Sequence, residues 1–257
     1  MMDRKKIRVV VSLEARLTSS RLPNKVLKKL YKKKVIDIIV NRLKKVKKID
    51  DFFVAIPNTK KNNNLAKYLK KKRIKFYRGS EKNVLERITL GAIKFKADLL
   101  VRLTCDNPFV DIKMIDQMVK EFKKNYTSFD YFSNNGYAIS KKRKIPLGLD
   151  IEIVKPKHLK EILDVVKKQA YKTFATTFYY KSKQRTYKKK SFNINNKVKH
   201  VFPKDLSLTL DTKKDFEYLN YLFKLVYSKH KLNFDLNNVL HVIKNNKYLK
   251  HKDNKIA

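Results

Sequence analysis

The sequence predicts an α/β protein, built as a doubly wound and mostly parallel sheet with helices on both faces. Strand-like segments at 7–13, 52–56, 74–77 and 99–103 alternate with segments in which apolar residues recur at helical spacing. The first and last of these strands are apolar or β-branched at nearly every position, as expected for parallel strands buried on both faces. This alternation favours β-α-β units and therefore a parallel sheet.

The predicted elements follow one another in a regular order through the first half of the chain. The helices expected there are at 35–46, 64–71, 84–94 and 112–122. The second half is less regular, with strands expected at 130–133, 150–154 and 206–210, a loop at 141–144, and helices at 158–168 and around 174–180. Asp211 or Thr212 is then expected to cap a helix carrying Phe216 to Val226, and a further helix is expected at 236–243.

Composition limits the class of protein. The 257 residues are 42% hydrophobic, which is enough for one substantial domain. No apolar stretch approaches the roughly 20 residues that cross a bilayer, and the apolar segment after the start is too short for a signal peptide, so we expect a cytoplasmic protein with no membrane partner. Cys105 is the only cysteine, which excludes an internal disulfide and a cysteine-based zinc site within one chain.

The net charge is +41, which by itself points to nucleic acid or another anionic partner. Only 11 of the 64 basic residues are arginine, and the lysines are spread over nearly the whole chain. A compositional bias of the source explains such a diffuse excess, so nucleic acid is the less favoured partner. Against this background each arginine marks a place where a planar, bidentate group is needed, and five lie in suspected site segments: Arg16, Arg21, Arg78, Arg87 and Arg102. Glycine is equally scarce, and Gly79 and Gly148 are expected to hold loop conformations or close approaches that a Cβ would block.

The segment from Leu13 to Lys25 follows the first strand and has the composition of a phosphate-binding loop. Arg16, Arg21 and Lys25 supply positive charge, and three consecutive hydroxyl side chains at 18–20 supply further donors. Ligands of open α/β sheets collect at the carboxyl ends of the strands, where this loop lies. It is the first candidate site.

Two aspartates, Asp106 and Asp211, follow later predicted strands. Because the ends of such strands can meet at one edge of a sheet, the two carboxylates can share a divalent cation with a bound phosphate chain. An aspartate at a strand end is also a common helix cap or turn former, which is the alternative for each of them alone.

The same segments resemble the cytidylyltransferases that activate bacterial surface sugars, a group that contains the CMP-ulosonic acid synthetases and the SpsF-type spore coat polysaccharide proteins. The loop, Ala15-Arg16-Leu17-Thr18-Ser19-Ser20-Arg21-Leu22-Pro23-Asn24-Lys25, is similar to the signature Ala-Arg-x-x-Ser-x-Arg-Leu-Pro-Gly-Lys. Further matches occur in the family's order, at 76–87, 101–108, 146–152 and 208–217. The resemblance covers roughly residues 7 to 223 and is strongest to the SpsF-type branch.

This resemblance implies a nucleotide-diphospho-sugar transferase fold, also called Rossmann-like, that transfers CMP from CTP to an ulosonic acid or sugar phosphate with Mg²⁺ and releases pyrophosphate. By position, it assigns catalytic roles to Arg16, Lys25 and Asp106, and magnesium binding to Asp106 and Asp211. Nucleotide contacts fall to Ala15, Arg16, Ser19, Arg21, Lys25, Arg78, Gly79, Ser80, Arg87 and Thr104, and acceptor contacts to Asp150 and Glu152. A homodimer is expected, with one nucleotidyltransferase domain at 1–227, a less regular acceptor or dimerisation region at 134–205 and a helical tail at 228–257.

The chain departs from the family pattern at several positions. Thr18 and Asn24 replace glycines of the loop, Cys105 replaces the glycine before the metal aspartate, and the segment 171–178 lacks the charged and imidazole groups of the SpsF-type pattern. Three alternatives therefore stay open: a transferase that uses another nucleotide, a relative without turnover, and a non-enzymatic nucleic-acid-binding protein.

Overall fold

The computed structural model describes residues 6–135, 143, 145–173, 176, 178–181, 187–194, 202–203 and 205–249. The predicted loop at 141–144 lies outside these residues except for Arg143. Parts of two further predictions also lie outside them, namely residues 174, 175 and 177 of the helix expected around 174–180, and residues 250–257 of the tail.

Three of the strands span six or seven residues, and the others are shorter. In chain order they are β1 (Val9–Glu14), β2 (Lys29–Leu30), β3 (Lys33–Lys34), β4 (Asp51–Pro57), β5 (Phe76–Gly79), β6 (Leu99–Thr104), β7 (Tyr131–Ser133), β8 (Glu152–Val154) and β9 (Lys189–Ser191). The helices are α1 (Val35–Leu43), α2 (Asn63–Lys71), α3 (Val84–Lys94), α4 (Ile112–Lys124), α5 (Pro156–Val165), α6 (Gln169–Thr173), α7 (Phe178–Lys181), α8 (Lys213–His230) and α9 (Leu236–Lys244).

Seven strands form one sheet in the order β5-β4-β1-β6-β8-β7-β9, while β2 and β3 form a separate antiparallel pair. The strands from β5 to β6 run parallel, β8 is antiparallel to both β6 and β7, and β9 is parallel to β7. The mostly parallel sheet predicted from the alternating pattern is therefore confirmed.

Helices cover both faces of the sheet. Because successive side chains of a strand point to opposite faces, a single strand contributes to two separate cores. Val9, Val11 and Leu13 of β1 pack into the larger core with α1, α2, α4, α8 and α9. Val10 packs into the smaller core with α3, α5 and α7. Because both faces of β1 are buried, apolar residues occupy most of its positions instead of every second one.

Several predicted boundaries differ from the structure by a few residues. The helix predicted at 158–168 begins at Pro156, where a missing N–H is harmless, and ends at Val165. The strand predicted at 74–77 is β5, which begins at Phe76, and the strand predicted at 150–154 begins at Glu152. Thr212, rather than Asp211, caps α8, and it shares a capping box with Asp215.

The prediction of a strand at 206–210 is wrong. This segment forms a single bridge, between Leu147 and Ser207, although its leucines are buried in strand-like alternation. The N–H of Leu208 donates to the carbonyl of Leu147 at 2.7 Å, but the N–H of Leu210 donates to Asp106 at 2.8 Å. Because different segments satisfy successive N–H groups, no ladder forms.

Gly148 permits the close approach of the segments that contain Leu147 and Ser207. Its φ of 95° lies in the region that side chains rarely adopt, and a Cβ added there would lie 2.3 Å from the carbonyl carbon of Leu208. The expectation that Gly148 holds a special loop conformation is confirmed.

The C-terminal segments complete the larger core. Helix α8 continues past residue 227 to His230, and α9 buries Leu236, Val239 and Leu240 against it. The domain boundary at 227 stays a prediction. Within the part of the chain that the structure describes, no helix is both long and apolar enough to span a membrane.

Arg42 joins the first half of the chain to these last helices. Its guanidinium is fully buried and donates to the carbonyl oxygens of Val110 at 2.8 Å, Phe234 at 2.9 Å and Leu232 at 3.2 Å. Its central carbon lies 3.5 Å from the centre of the Phe234 ring. Burial lowers the pKa of Arg42 to about 10, so the group stays protonated at neutral pH.

We expect Arg42→Met to lower the free energy of unfolding by about 3 kcal/mol or more, because three buried carbonyl groups lose their donor. Urea unfolding followed by circular dichroism measures the loss. The matched control is Arg73→Met, since Arg73 is exposed at the end of α2 and its replacement should change the free energy by less than about 0.5 kcal/mol. Equal midpoints for the two variants would contradict the role given to Arg42.

Candidate functional site

A cavity of about 340 Å³ opens at the carboxyl ends of β1 and β6, where the fold class places ligands. Its lining residues come from the loop after β1, the start of α3, the end of β6 and the segment before α8. They are Glu14, Ala15, Arg16, Ser19, Ser20, Arg21, Lys25, Val26, Val84, Arg87, Arg102, Thr104, Asp106 and Asp211.

Most of the predicted site residues lie in this wall, and five do not. Those in the wall are Ala15, Arg16, Ser19, Arg21, Lys25, Arg87, Thr104, Asp106 and Asp211. Those outside it are Arg78, Gly79, Ser80, Asp150 and Glu152. Two further lining residues, Ser20 and Arg102, were singled out from the sequence without an individual role, and three lining residues were not predicted at all, namely Glu14, Val26 and Val84.

The loop after β1 keeps its shape without its two family glycines. Asn24 has a φ of 58° and takes the left-handed conformation itself, and its N–H donates to the carbonyl of Leu17 at 3.1 Å. Thr18 is not among the described residues with positive φ, so its backbone needs no glycine. Its hydroxyl instead donates to Glu81 at 2.9 Å, which ties the loop to the segment after β5.

Lys25 lies between the two aspartates that the sequence singled out. Its Nζ is 2.6 Å from Asp106 Oδ2 and 2.8 Å from Asp211 Oδ1, and a guanidinium nitrogen of Arg21 lies 3.2 Å from Asp211 Oδ2. Burial alone would lower the pKa of Lys25, but the two carboxylates outweigh it and raise the pKa above its ordinary value. The side chain is therefore an ammonium that holds together three segments distant in sequence.

The two aspartates are brought together by the backbone. Asp106 follows the end of β6, and its carbonyl accepts from the N–H of Leu210, the residue before Asp211. Both carboxylates are about one-quarter exposed. Among the described residues, no group of three or more carboxylate, imidazole or thiol side chains is arranged to hold a metal ion.

Arg102 also lines the cavity and makes its own set of ion pairs. Its Nε is 2.5 Å from Glu14 Oε1, and one terminal nitrogen is 3.3 Å from Glu14 Oε2, which makes a bidentate fork. Its other terminal nitrogen donates to Glu152 and to the hydroxyl of Thr176. Burial alone would lower the pKa of Arg102, but Glu14 and Glu152 raise it well above its ordinary value.

Glu152, to which the family resemblance assigned an acceptor contact, contacts Arg102 from outside the cavity wall, and the acceptor role stays a prediction. Only 6% of its side chain is exposed, and its carboxylate accepts from Arg102, from the Tyr131 hydroxyl at 2.6 Å and from the Thr176 hydroxyl at 2.8 Å. Asp150 likewise lies outside the cavity wall, with its carboxylate paired to Arg143. Neither residue lines the cavity.

The segment after β5 positions a single arginine. Arg87 is 3% exposed and donates to the carbonyl of Ser80, while its Nε has no hydrogen-bond partner among the described residues. A Cβ on Gly79 would lie 3.0 Å from the Arg87 side chain, so Gly79 supports Arg87 instead of touching the cavity. Burial lowers the pKa of Arg87. Arg78 donates to the carbonyl of Thr59 at 3.0 Å, away from the cavity wall.

Cys105, which replaces a family glycine, points into the core. Its side chain is 1% exposed, and it does not line the cavity. Burial raises the pKa of the thiol well above its ordinary value, which disfavours the reactive thiolate. Cys105 therefore packs in the larger core as a small apolar side chain.

We expect a chromogenic disulfide reagent to label Cys105 of the native protein at least about 100-fold more slowly than that of the protein unfolded in urea. Because the chain has no other cysteine, the colour reports this thiol alone. Rapid labelling of the native protein would mean that the thiol is open to solvent.

Comparison of the sequence with known proteins gives one consistent group. The profile of a family described as cytidylyltransferase matches residues 10–250. An uncharacterized protein of Methanocaldococcus jannaschii is 31% identical over 233 residues, covering 91% of this chain and 87% of that protein. The spore coat polysaccharide biosynthesis protein SpsF of Bacillus subtilis is 27% identical over 220 residues, covering 84% of this chain and 86% of SpsF.

Solved structures share the fold. A cytidylyltransferase from Leptospira borgpetersenii serovar Hardjo-bovis has a TM-score of 0.84 and 23% identity, covering 98% of this chain and all of that chain. CMP:2-keto-3-deoxy-manno-octonic acid synthetase, solved in complex with CTP, has a TM-score of 0.59 and 13% identity, covering 85% of this chain and 99% of its own. These likenesses confirm the predicted Rossmann-like α/β fold.

Proposed function

The chain belongs to the cytidylyltransferase family, and on that premise we propose that it transfers CMP from CTP to a sugar of a surface polysaccharide or another glycoconjugate, releasing pyrophosphate. Family membership makes it a nucleotidyltransferase. The sugar belongs to the proposal, and it is supported by the similarity to SpsF, a spore coat polysaccharide biosynthesis protein. The observation that carries the proposal is the convergence of Lys25, Asp106 and Asp211 beside the arginines of the loop after β1.

The loop after β1 supplies the groups that a triphosphate needs. Arg16, Arg21 and Lys25 provide three positive charges, and Ser19 and Ser20 provide hydroxyl donors to the same cavity. Because a triphosphate is strongly anionic, it binds most favourably against these cationic and hydroxyl side chains. Lys25 then exchanges one of its carboxylate partners for a phosphate oxygen.

Asp106 and Asp211 fit a magnesium ion that arrives with the nucleotide. Mg²⁺ prefers oxygen ligands and is commonly held by one or two carboxylates together with substrate phosphates, which matches a pair of aspartates beside a phosphate loop. When bound, Mg²⁺ neutralises phosphate charge and polarises the phosphoryl group. That the two carboxylates already attract a cation, the Lys25 ammonium, supports this assignment.

The proposed reaction needs positioning and charge neutralisation more than covalent help from the protein. An acceptor oxygen bonds to the α-phosphorus of CTP, the bond to pyrophosphate breaks, and the proton of a reacting hydroxyl passes to water. Arg16, Arg21 and Lys25 stabilise the charge that develops on the leaving pyrophosphate. The acceptor in this proposal is an ulosonic acid or a sugar phosphate, and the working form is a cytoplasmic homodimer.

We expect purified protein to release pyrophosphate from CTP and Mg²⁺ in the presence of an acceptor from a panel of ulosonic acids and sugar phosphates. Asp106→Asn should lower kcat/KM by roughly 100-fold or more, because it removes a charge that orients the metal and phosphates. The control is Asp164→Asn, since Asp164 is exposed on α5 and pairs only with Lys160 among the described residues. The rate of pyrophosphate release by the wild-type protein and the two variants is measured with a coupled spectrophotometric assay.

Three outcomes would count against specific parts of the proposal. Unchanged turnover of Asp106→Asn would remove the metal role of Asp106, and so would full activity in excess EDTA. Binding of CTP without pyrophosphate release, for every acceptor of the panel, would remove the acceptor class. Thermal shift with CTP, UTP, GTP and ATP compares the nucleotides directly.

A further inference from the structure

The wall of the cavity combines two chemically different sets of side chains. One set is cationic and consists of Arg16, Arg21 and Lys25, to which the triphosphate is proposed to bind. The other set consists of Glu14, Val84, Arg87 and Arg102. It supplies a carboxylate, two guanidinium groups and one apolar side chain, which together suit a flat heterocycle with a polar edge.

Glu14 is the one cavity-lining carboxylate, among the described residues, that is not paired with Lys25. Its side chain is 11% exposed, and both of its oxygens are held by the fork from Arg102. Each carboxylate oxygen can accept more than one hydrogen bond, so the fork fixes the orientation of the group and leaves acceptor capacity facing the cavity.

The side chain of Arg102 is also held by residues that do not line the cavity. Glu152 accepts from the second terminal nitrogen of Arg102, and the hydroxyls of Tyr131 and Thr176 hold Glu152 in turn. None of these three groups lines the cavity. A buried, satisfied network of this kind holds a charged group in one position and resists rotation when a ligand binds.

Cytosine and uracil differ at the edge that such a carboxylate can distinguish. Cytosine carries an amino group at position 4, which is a donor, and an unprotonated ring nitrogen beside it, whereas uracil carries a carbonyl oxygen and an N–H. Carboxylates accept from the cytosine amino group, and they repel a carbonyl oxygen at the same position. Arg87 also lines the cavity, and its guanidinium is a donor group for the acceptor atoms of the ring.

We propose that Glu14 selects cytosine by accepting a hydrogen bond from its 4-amino group, and that Arg102 is the positioning residue that aims the Glu14 carboxylate. This inference rests on the proposed use of CTP and deepens it by naming the residue that distinguishes CTP from UTP. The Glu152, Tyr131 and Thr176 groups act through Arg102 and do not touch the base.

The first test needs no variant. Isothermal titration in the presence of Mg²⁺ compares three triphosphates, namely those of cytidine, uridine and the 2-pyrimidinone ribonucleoside, which has hydrogen in place of the 4-amino group. We expect the wild-type protein to bind CTP about tenfold to a hundredfold more tightly than the other two, the range for a hydrogen bond to a charged group. Equal affinity for CTP and the 2-pyrimidinone nucleotide would overturn the proposal.

The second test uses Glu14→Gln, whose amide can present either an oxygen or an NH₂ group to the base. We expect the preference for CTP over UTP to fall to less than about threefold, mainly because UTP binds more tightly. Arg102→Lys, which cannot form the fork, should weaken the same preference, while Arg16, Arg21 and Lys25 remain available to the triphosphate. The matched controls are Glu217→Gln on the exposed face of α8 and Arg73→Lys, and both should keep the wild-type preference.

The outcomes separate the two proposals. A wild-type preference for CTP that survives in Glu14→Gln, with the thermal unfolding of the variant unchanged, overturns the role of Glu14 and leaves the proposed function standing. A protein that binds none of the three nucleotides overturns both. Loss of the preference in Glu14→Gln but not in Arg102→Lys keeps Glu14 as the selecting residue and overturns the positioning role of Arg102.

Discussion

Strand β6 lies between two neighbours, and the register of these two pairings determines where the charged groups of the cavity lie. On one side it runs parallel to β1, with Glu14 opposite Thr104. On the other side it runs antiparallel to β8, with Arg102 opposite Glu152. A slip of one residue in either pairing would turn these side chains to the other face of the sheet, into the larger apolar core. Burial of that core therefore maintains the geometry of the site.

Positive charge is abundant in this protein, and the cavity draws on only a small part of it. The excess of lysine gives a net charge of +41, yet the cations that line the cavity are one lysine and four arginines, namely Lys25, Arg16, Arg21, Arg87 and Arg102. Two of these cations are paired with carboxylates, since Lys25 contacts Asp106 and Asp211 and Arg102 contacts Glu14 and Glu152. Such pairing is what makes a buried cation tolerable.

The value of arginine as a marker has a limit that Arg42 makes plain. Four of the five arginines singled out from the sequence line the cavity, and Arg78 instead joins the end of β5 to the segment before α2. Arg42 was not singled out, because it lies on a predicted apolar helix face, and it proves to be a core residue that satisfies three carbonyl groups. A guanidinium has five N–H donors, which can satisfy buried backbone carbonyl groups as well as phosphate oxygens. The residue type alone therefore does not distinguish a core arginine from a phosphate-binding one.

The sequence by itself determined the order of strands and helices, the loop after β1 and the two aspartates, because these depend on local periodicity and on strand ends that a parallel sheet brings to one edge. Only the tertiary structure decided that 206–210 crosses Gly148 at one point instead of joining the sheet. It also decided that Glu152 lies behind Arg102 and that Glu14 faces the cavity. Those assignments depend on which side chains meet across strands far apart in the chain, and local sequence pattern does not show which strands are neighbours.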